Sequence, residues 1–141
     1  MKTIFLFPLF LLLATTSFYA QNNKVQTIDY DKLEVDWKTL LLDGKPYTGN
    51  VQKLYDNGQV AIEGRVVNGL REGEWKWYYS NKKLKRTSIY KKGKKNGKTV
   101  YYYPNGKKRA EMYFYDDRNI RQISWDKKGN RKPNPQFKKF H

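Results

Sequence analysis

The chain has 141 residues, 29 of them Lys or Arg against 13 Asp or Glu, giving a formal net charge of +16, and 16% of it is aromatic. That length sets one domain with a modest core as the expectation, and the aromatic share is too high for a typical disordered chain. The absence of cysteine excludes a disulfide framework, a thiolate metal site and a cysteine nucleophile.

Residues 1–20, MKTIFLFPLFLLLATTSFYA, read as a signal peptide: Lys2 is the charged start, and an apolar run from Ile4 to Ala14 is too short to cross a bilayer well. Cleavage is expected after Ala20, which predicts an exported protein, periplasmic or extracellular, with no transmembrane segment once the leader is removed. An uncleaved anchor is the alternative.

Residues 21–48 follow. Asp31 to Leu42 has a weak helical pattern, but LEVDW alternates, so short strands turning at Asp43-Gly44 are expected there. This segment is expected to cap the apolar end of what comes next, with Leu33, Val35, Trp37 and Leu40 to Leu42 as the covering residues.

From residue 49 the sequence repeats. Gly49, Gly73 and Gly97 are 24 residues apart, as are Tyr55, Tyr79 and Tyr103, and Gly69 and Gly93 share the interval. The units are 49–72, 73–96 and 97–120, with a worn fourth at 121–129 in which Trp125 stands near the tyrosine position. Each reads as a β-hairpin. Trp75, Trp77 and Tyr79 alternate with Lys76 and Tyr78, the period of a half-buried strand. Asp56-Asn57-Gly58 and Pro104-Asn105-Gly106 carry the Asn-Gly signal of a tight turn. Returning strands are expected over 60–66, 84–90 and 108–114, with Asn68-Gly69 and Lys92-Gly93 turning into the next unit. Translation by the period aligns Tyr55, Tyr79 and Tyr103, so rings of successive hairpins are expected to stack as a ladder. Trp75, Trp77, Tyr79, Tyr101 and Tyr103 are the expected core rings. Residues 130–141 form a basic tail.

The cycle of Tyr, Asn-Gly-Lys, a mid-unit Glu and a second Gly resembles the MORN-repeat variant found in bacterial proteins catalogued as YwqK-type antitoxins. YDNGQVAIEGRVVNGLREGEW and YPNGKKRAEMYFYDD carry it best. Glu63 and Glu111 match the mid-unit glutamate, Thr87 departs from it, and YSNKKLKR lacks the turn glycine. The resemblance covers about residues 44 to 130. It implies an all-β fold, an elongated twisted antiparallel sheet of stacked hairpins, and no catalytic residues.

Charge is unevenly distributed. Residues 21–74 carry a net −2 and residues 75–141 a net +17, and between Trp75 and Ala110 there are thirteen Lys or Arg and no acid. Such a field draws anionic partners. Lys82, Lys83, Lys107 and Lys108 fall at one set of turns, and Lys91, Lys92, Lys94 and Lys95 at the opposite set. Lys85, Arg86 and Arg109 extend the first group onto the sheet. Together they are the candidate sites for an anion or partner, two basic rims that no strand needs for packing. Lysines at turns also discourage sheet-to-sheet aggregation, which is their structural reading.

An anionic lipid or envelope surface, or a protein partner, are the expected ligands. Nucleic acid suits an exported protein less. The single His141 lies on a proline-bearing tail, no HExxH or GxGxxG occurs, and Glu63, Glu72, Glu74 and Glu111 follow the repeat. A non-enzymatic binding module without cofactor or metal is expected; the alternative is an antitoxin that neutralises a protein toxin by direct binding.

Overall fold

The structure is a computed structural model and describes residues 26–133; the expected leader at 1–20 and the end of the tail lie outside them. Eleven strands form in chain order: β1 (Thr27–Asp29), β2 (Glu34–Asp36), β3 (Thr39–Leu42), β4 (Lys45–Pro46), β5 (Gly49–Leu54), β6 (Val60–Val67), β7 (Leu70–Tyr78), β8 (Leu84–Lys91), β9 (Lys94–Tyr102), β10 (Lys108–Tyr115) and β11 (Arg118–Ser124). A single 3₁₀ turn (Tyr30–Lys32) follows β1. Strands β5 to β11 form one antiparallel meander, with β1 added parallel to β5 at its edge; β2, β3 and β4 make a separate three-stranded sheet. Among the described residues no helix is long and apolar enough to cross a membrane.

The two ends of the meander turn differently. At one end Asn68-Gly69, Lys92-Gly93 and Asp116-Asp117 each hold two consecutive residues at positive φ, as a two-residue type I′ hairpin requires. Asp43-Gly44 repeats this in the small sheet, where the turn was expected. At the other end the loops are longer, and only their last residue but one is left-handed: Gly58, Lys82, Gly106 and Gly129. The Asn-Gly pairs expected to turn tightly do something else. Asn57, Asn81 and Asn105 stay at negative φ, and their side-chain oxygens accept the amide two residues on, at 3.0–3.1 Å. Lys82 replaces the missing glycine at φ 69° and closes the same loop: its amide donates to the Tyr79 carbonyl at 3.0 Å, as the Gly58 and Gly106 amides do to Tyr55 and Tyr103 at 2.8 Å.

The fourth loop shows the same closure, with the Asp126 amide on the Asn130 carbonyl and the Gly129 amide on that of Asp126. Asp126, not Trp125, therefore occupies the repeat's tyrosine position. Its carboxylate accepts the amides of Lys128 and Asn130 at 2.8 and 2.9 Å.

The core lies on one face of the first half of the meander. Val51, Val66, Trp75 and Tyr90 are buried there, covered by Leu33, Leu40 and Tyr47 from the preceding segment. Trp75 is fully buried, its indole N–H donates to the Arg65 carbonyl at 3.0 Å, and Tyr30 and Tyr90 meet it edge-on. The small sheet is pinned to the β6–β7 turn: Leu40 N–H donates to the Gly69 carbonyl and Gly69 N–H to the Tyr47 carbonyl, both at 2.7 Å. Of the residues expected to cover the core, Leu33 and Leu40 do so, and the half-buried Leu42 packs against it. Val35 and Trp37 are exposed, because the chain reverses at Trp37-Lys38 and leaves both on the outer part of that hairpin.

The expected ring ladder is replaced by a different seam. Outgoing strands β5, β7 and β9 are separated by the returning strands β6 and β8, so equivalent rings stand about 10 Å apart. Besides the strand pairing of β6 with β7, β8 with β9 and β10 with β11, a repeated hydrogen bond joins the units. The hydroxyls of Tyr55, Tyr79 and Tyr103 donate to the carbonyls of Tyr78, Tyr102 and Trp125 at 2.7, 2.8 and 2.9 Å. Among the expected core rings Trp75 is buried, whereas Trp77, Tyr79, Tyr101 and Tyr103 are half-buried.

Candidate anion-binding face

Each hairpin carries a β-bulge one period apart. Register slips between Lys53 and Leu54, between Trp77 and Tyr78, and between Lys108 and Ala110 leave Ala61, Lys85 and Arg109 as the extra residues. Bulges re-aim a side chain. In the second and third hairpins the re-aimed residue is a cation.

Direct cross-strand partners share a face, so Trp77, Arg86, Tyr101 and Ala110 form one row across β7 to β10. Arg86 lies between two rings of this row. Its guanidinium carbon is 3.5 Å from the Trp77 ring centre and 5.9 Å from that of Tyr101. Arg109 lies 5.3 Å from the Tyr101 ring on the other side, and the Lys85 ammonium 5.6 Å from Tyr79. Each cation–ring contact stabilises by roughly 0.5–2 kcal/mol.

These side chains line a cleft of about 270 Å³ in which Lys85, Arg86 and Arg109 converge and to which no carboxylate contributes. None of the three is in an ion pair among the described residues. The Nε of Arg86 is buried without a hydrogen-bond partner among them. A buried donor left unpaired costs about 1–3 kcal/mol, and three like charges in one cleft add repulsion. An anion in the cleft would relieve the repulsion.

Arg86 also borders a second depression, of about 390 Å³, toward the type I′ end of β8. Arg71, Tyr90 and Lys95 border it from the sheet, and Trp37 and Lys38 from the β2–β3 hairpin. Arg71 stacks 4.9 Å over the Trp75 ring and donates to the Tyr30 hydroxyl at 2.8 Å. The hairpin tip is tied across by Lys38 to Asp117 at 2.9 Å. Lys38 and an amide bond from Lys95 hold the Asp117 carboxyl below its ordinary range, the backbone bond first.

Of the remaining predicted site residues, Lys94, Lys107 and Lys108 have polar side-chain partners. At the type I′ end, Lys94 pairs with Asp116 at 2.8 Å, which raises its own pKa. The Lys92 amide donates to Glu72 and the Lys95 amide to Asp117, both at 2.8 Å. Lys91 is exposed. That rim therefore carries its own acids, brought by β7 and by the β10–β11 turn. At the opposite end Lys107 caps the Lys128 carbonyl at 2.7 Å, and Lys108 pairs with the buried Glu111 at 2.9 Å. Lys82 and Lys83 are exposed in their loop. Of the eleven candidates, Lys85, Arg86 and Arg109 are brought together in one cleft and Lys95 joins Arg86 at the second depression; the others are dispersed. The expectation that no strand needs them for packing is corrected at Arg86, which fills the space between Trp77 and Tyr101.

Sequence reasoning missed Trp37, Lys38, Arg71 and Tyr90 on this face. The recurrence of Lys85 and Arg109 at the 24-residue period was the available signal for the cleft.

Among the described residues no group of three or more His, Cys, Asp or Glu is gathered as a metal site. Fold and site together define a repeat protein, an elongated β-sheet of hairpin units. More particularly, residues 71–92 and 95–117 match the family model described as MORN repeat variant. The two matched segments are hairpins β7–β8 and β9–β10, which carry the cleft. No curated protein matches the chain.

Proposed function

We propose that the protein is an exported, non-enzymatic binding module whose arginine–aromatic face holds an anionic partner of the cell envelope. The observation that carries this reading is the cleft in which Lys85, Arg86 and Arg109 meet without a carboxylate and with one guanidinium nitrogen unpaired. Guanidinium groups stacked on rings are already ordered, so little conformational freedom is lost when they bind an anion. Charge-assisted bonds of this type are about twice as strong as neutral ones. The leader-like residues 1–20 are the support for export.

Retention on immobilised dextran sulfate against plain dextran, across a salt series, tests the reading. Arg109→Gln and Lys85→Gln should elute at clearly lower salt, while Lys94→Gln, which lies in a balanced rim, should elute with the parent. Equal loss for all three would make net charge the cause and remove the cleft from the explanation. Anionic vesicles and an acidic protein, a toxin included, are the other occupants such a face would attract. Sedimentation with vesicles and co-purification with a neighbouring toxin read those outcomes.

A further inference from the structure

We propose that the occupant of this face is an acidic polysaccharide lying lengthwise along β8. The inference rests on the anion-binding reading above and narrows it to one chemical class.

Arg86 borders both depressions, so the two adjoin at its side chain and follow one another in a run along β8, from Gly93 in the turn just past the strand to Lys85 near its start. Eight residues of strand span about 26 Å. A ligand filling that run is an extended chain of several units, not a single small anion. Cations are spaced along it: Lys95 and Arg71 at one end, beside the Asp117 carboxylate that Lys38 pairs, Arg86 in the middle, and Lys85 and Arg109 at the other.

Trp37 supplies an independent observation. It is 89% exposed and holds a φ of 57°, left-handed backbone that a bulky side chain rarely adopts. Its indole borders the depression from the hairpin tip that Lys38 ties to Asp117. An open indole beside cations suits a pyranose ring, whose apolar face stacks on the indole while its carboxylate meets a guanidinium. Tyr101 adds a hydroxyl that makes no hydrogen bond among the described residues, available to sugar hydroxyls.

The other occupants fit less well. A bilayer is flat, whereas Arg86, the central cation, sits between Trp77 and Tyr101. A peptide strand would need a free sheet edge, but β8 is paired on both sides, with β7 and with β9.

Isothermal titration of the protein settles the point, with a hyaluronan oligosaccharide as the alternating acidic sugar. A chitin oligosaccharide provides the uncharged control, and polyglutamate and oligothymidylate the sugar-free and base-bearing polyanions. Hyaluronan should bind at least about tenfold more tightly than any of the three. Trp37→Gly, which accepts the observed φ, should weaken hyaluronan about tenfold and leave polyglutamate unchanged. If polyglutamate or oligothymidylate binds as tightly as hyaluronan, or Trp37→Gly has no effect, the polysaccharide inference is overturned while anion binding stands. If none of the anions binds, both readings fall.

Discussion

Gly64→Ala should be among the most damaging single-methyl changes in the protein. Gly64 pairs with Val51 and lies against the Trp75 indole. An added Cβ would fall within the ring system, overlapping Cδ2 and Cε2 and standing 2.7 Å from Cε3. Trp75 cannot step aside cheaply: it is fully buried, Tyr30 and Tyr90 abut it at centroid distances of 6.1 and 6.2 Å, and its N–H is bonded to Arg65. Overpacking of this kind costs about 1–3 kcal/mol. Displacing the indole from its carbonyl adds about 1–3 kcal/mol for the unpaired buried N–H. The expected loss is thus about 4 kcal/mol, a large part of a stability of roughly 5–15 kcal/mol. Urea unfolding followed by tryptophan fluorescence reads it. Gly58→Ala is the control, since nothing lies within 4 Å of its added methyl and only the φ of 76° is opposed. That costs roughly 1–2 kcal/mol. In the double variant with Trp75→Phe, the smaller ring should recover at least about 1 kcal/mol relative to the sum of the single losses. A loss below about 1 kcal/mol for Gly64→Ala would refute the close packing of β6 against Trp75.

Other outcomes follow from the repeat geometry and the ion pairs. Tyr79→Phe removes the hydroxyl bonded to the Tyr102 carbonyl and should cost about 1–2 kcal/mol in thermal unfolding, with Tyr103→Phe similar. Lys82→Gly, which restores the glycine of the sister loops at φ 69°, should raise stability by about 0.5–1 kcal/mol. A lower melting temperature would contradict the loop geometry. Glu111 is held below the ordinary carboxylate value of 4.5, first by its bond from Lys108 and then by that from Tyr113. Its contribution to stability is therefore complete above pH 4.5 and is lost as pH falls through its lowered folded value. Glu111→Gln should flatten the acid limb of melting temperature against pH below 4.5. An unchanged slope would remove Glu111 from acid unfolding.

The strands and the period were readable because each unit writes the same turn residues at the same places, and a hairpin's alternation survives any aromatic content. What faced what was harder. Matching Tyr79 to Tyr103 by the period ignored the returning strand between them, so the seam was assigned to rings when it is a hydroxyl on a carbonyl. The acid-free stretch from Trp75 to Ala110 suggested uncompensated charge. The compensating acids come from Glu63 and Glu74 for Lys76, Asp116 for Lys94 and Glu111 for Lys108, through register and turns that spacing alone does not reveal. Arg86 read as a surface cation because its residue type says nothing of neighbours; the bulge beside it sets Lys85 and Arg86 together toward the rings. Trp37 read as core from its apolarity, but a reversal at its own position carries it outward.

The tyrosine seam also gives the array a direction. Each hydroxyl reaches forward, from one unit to the backbone of the next, so every unit announces that another follows. At the fourth loop the announcing residue is Asp126, whose carboxylate bends back onto the amides of its own turn. The message stops there. The fourth loop thus keeps the backbone closure of the other three, while the side chain at one position turns the bond inward instead of onto a following strand.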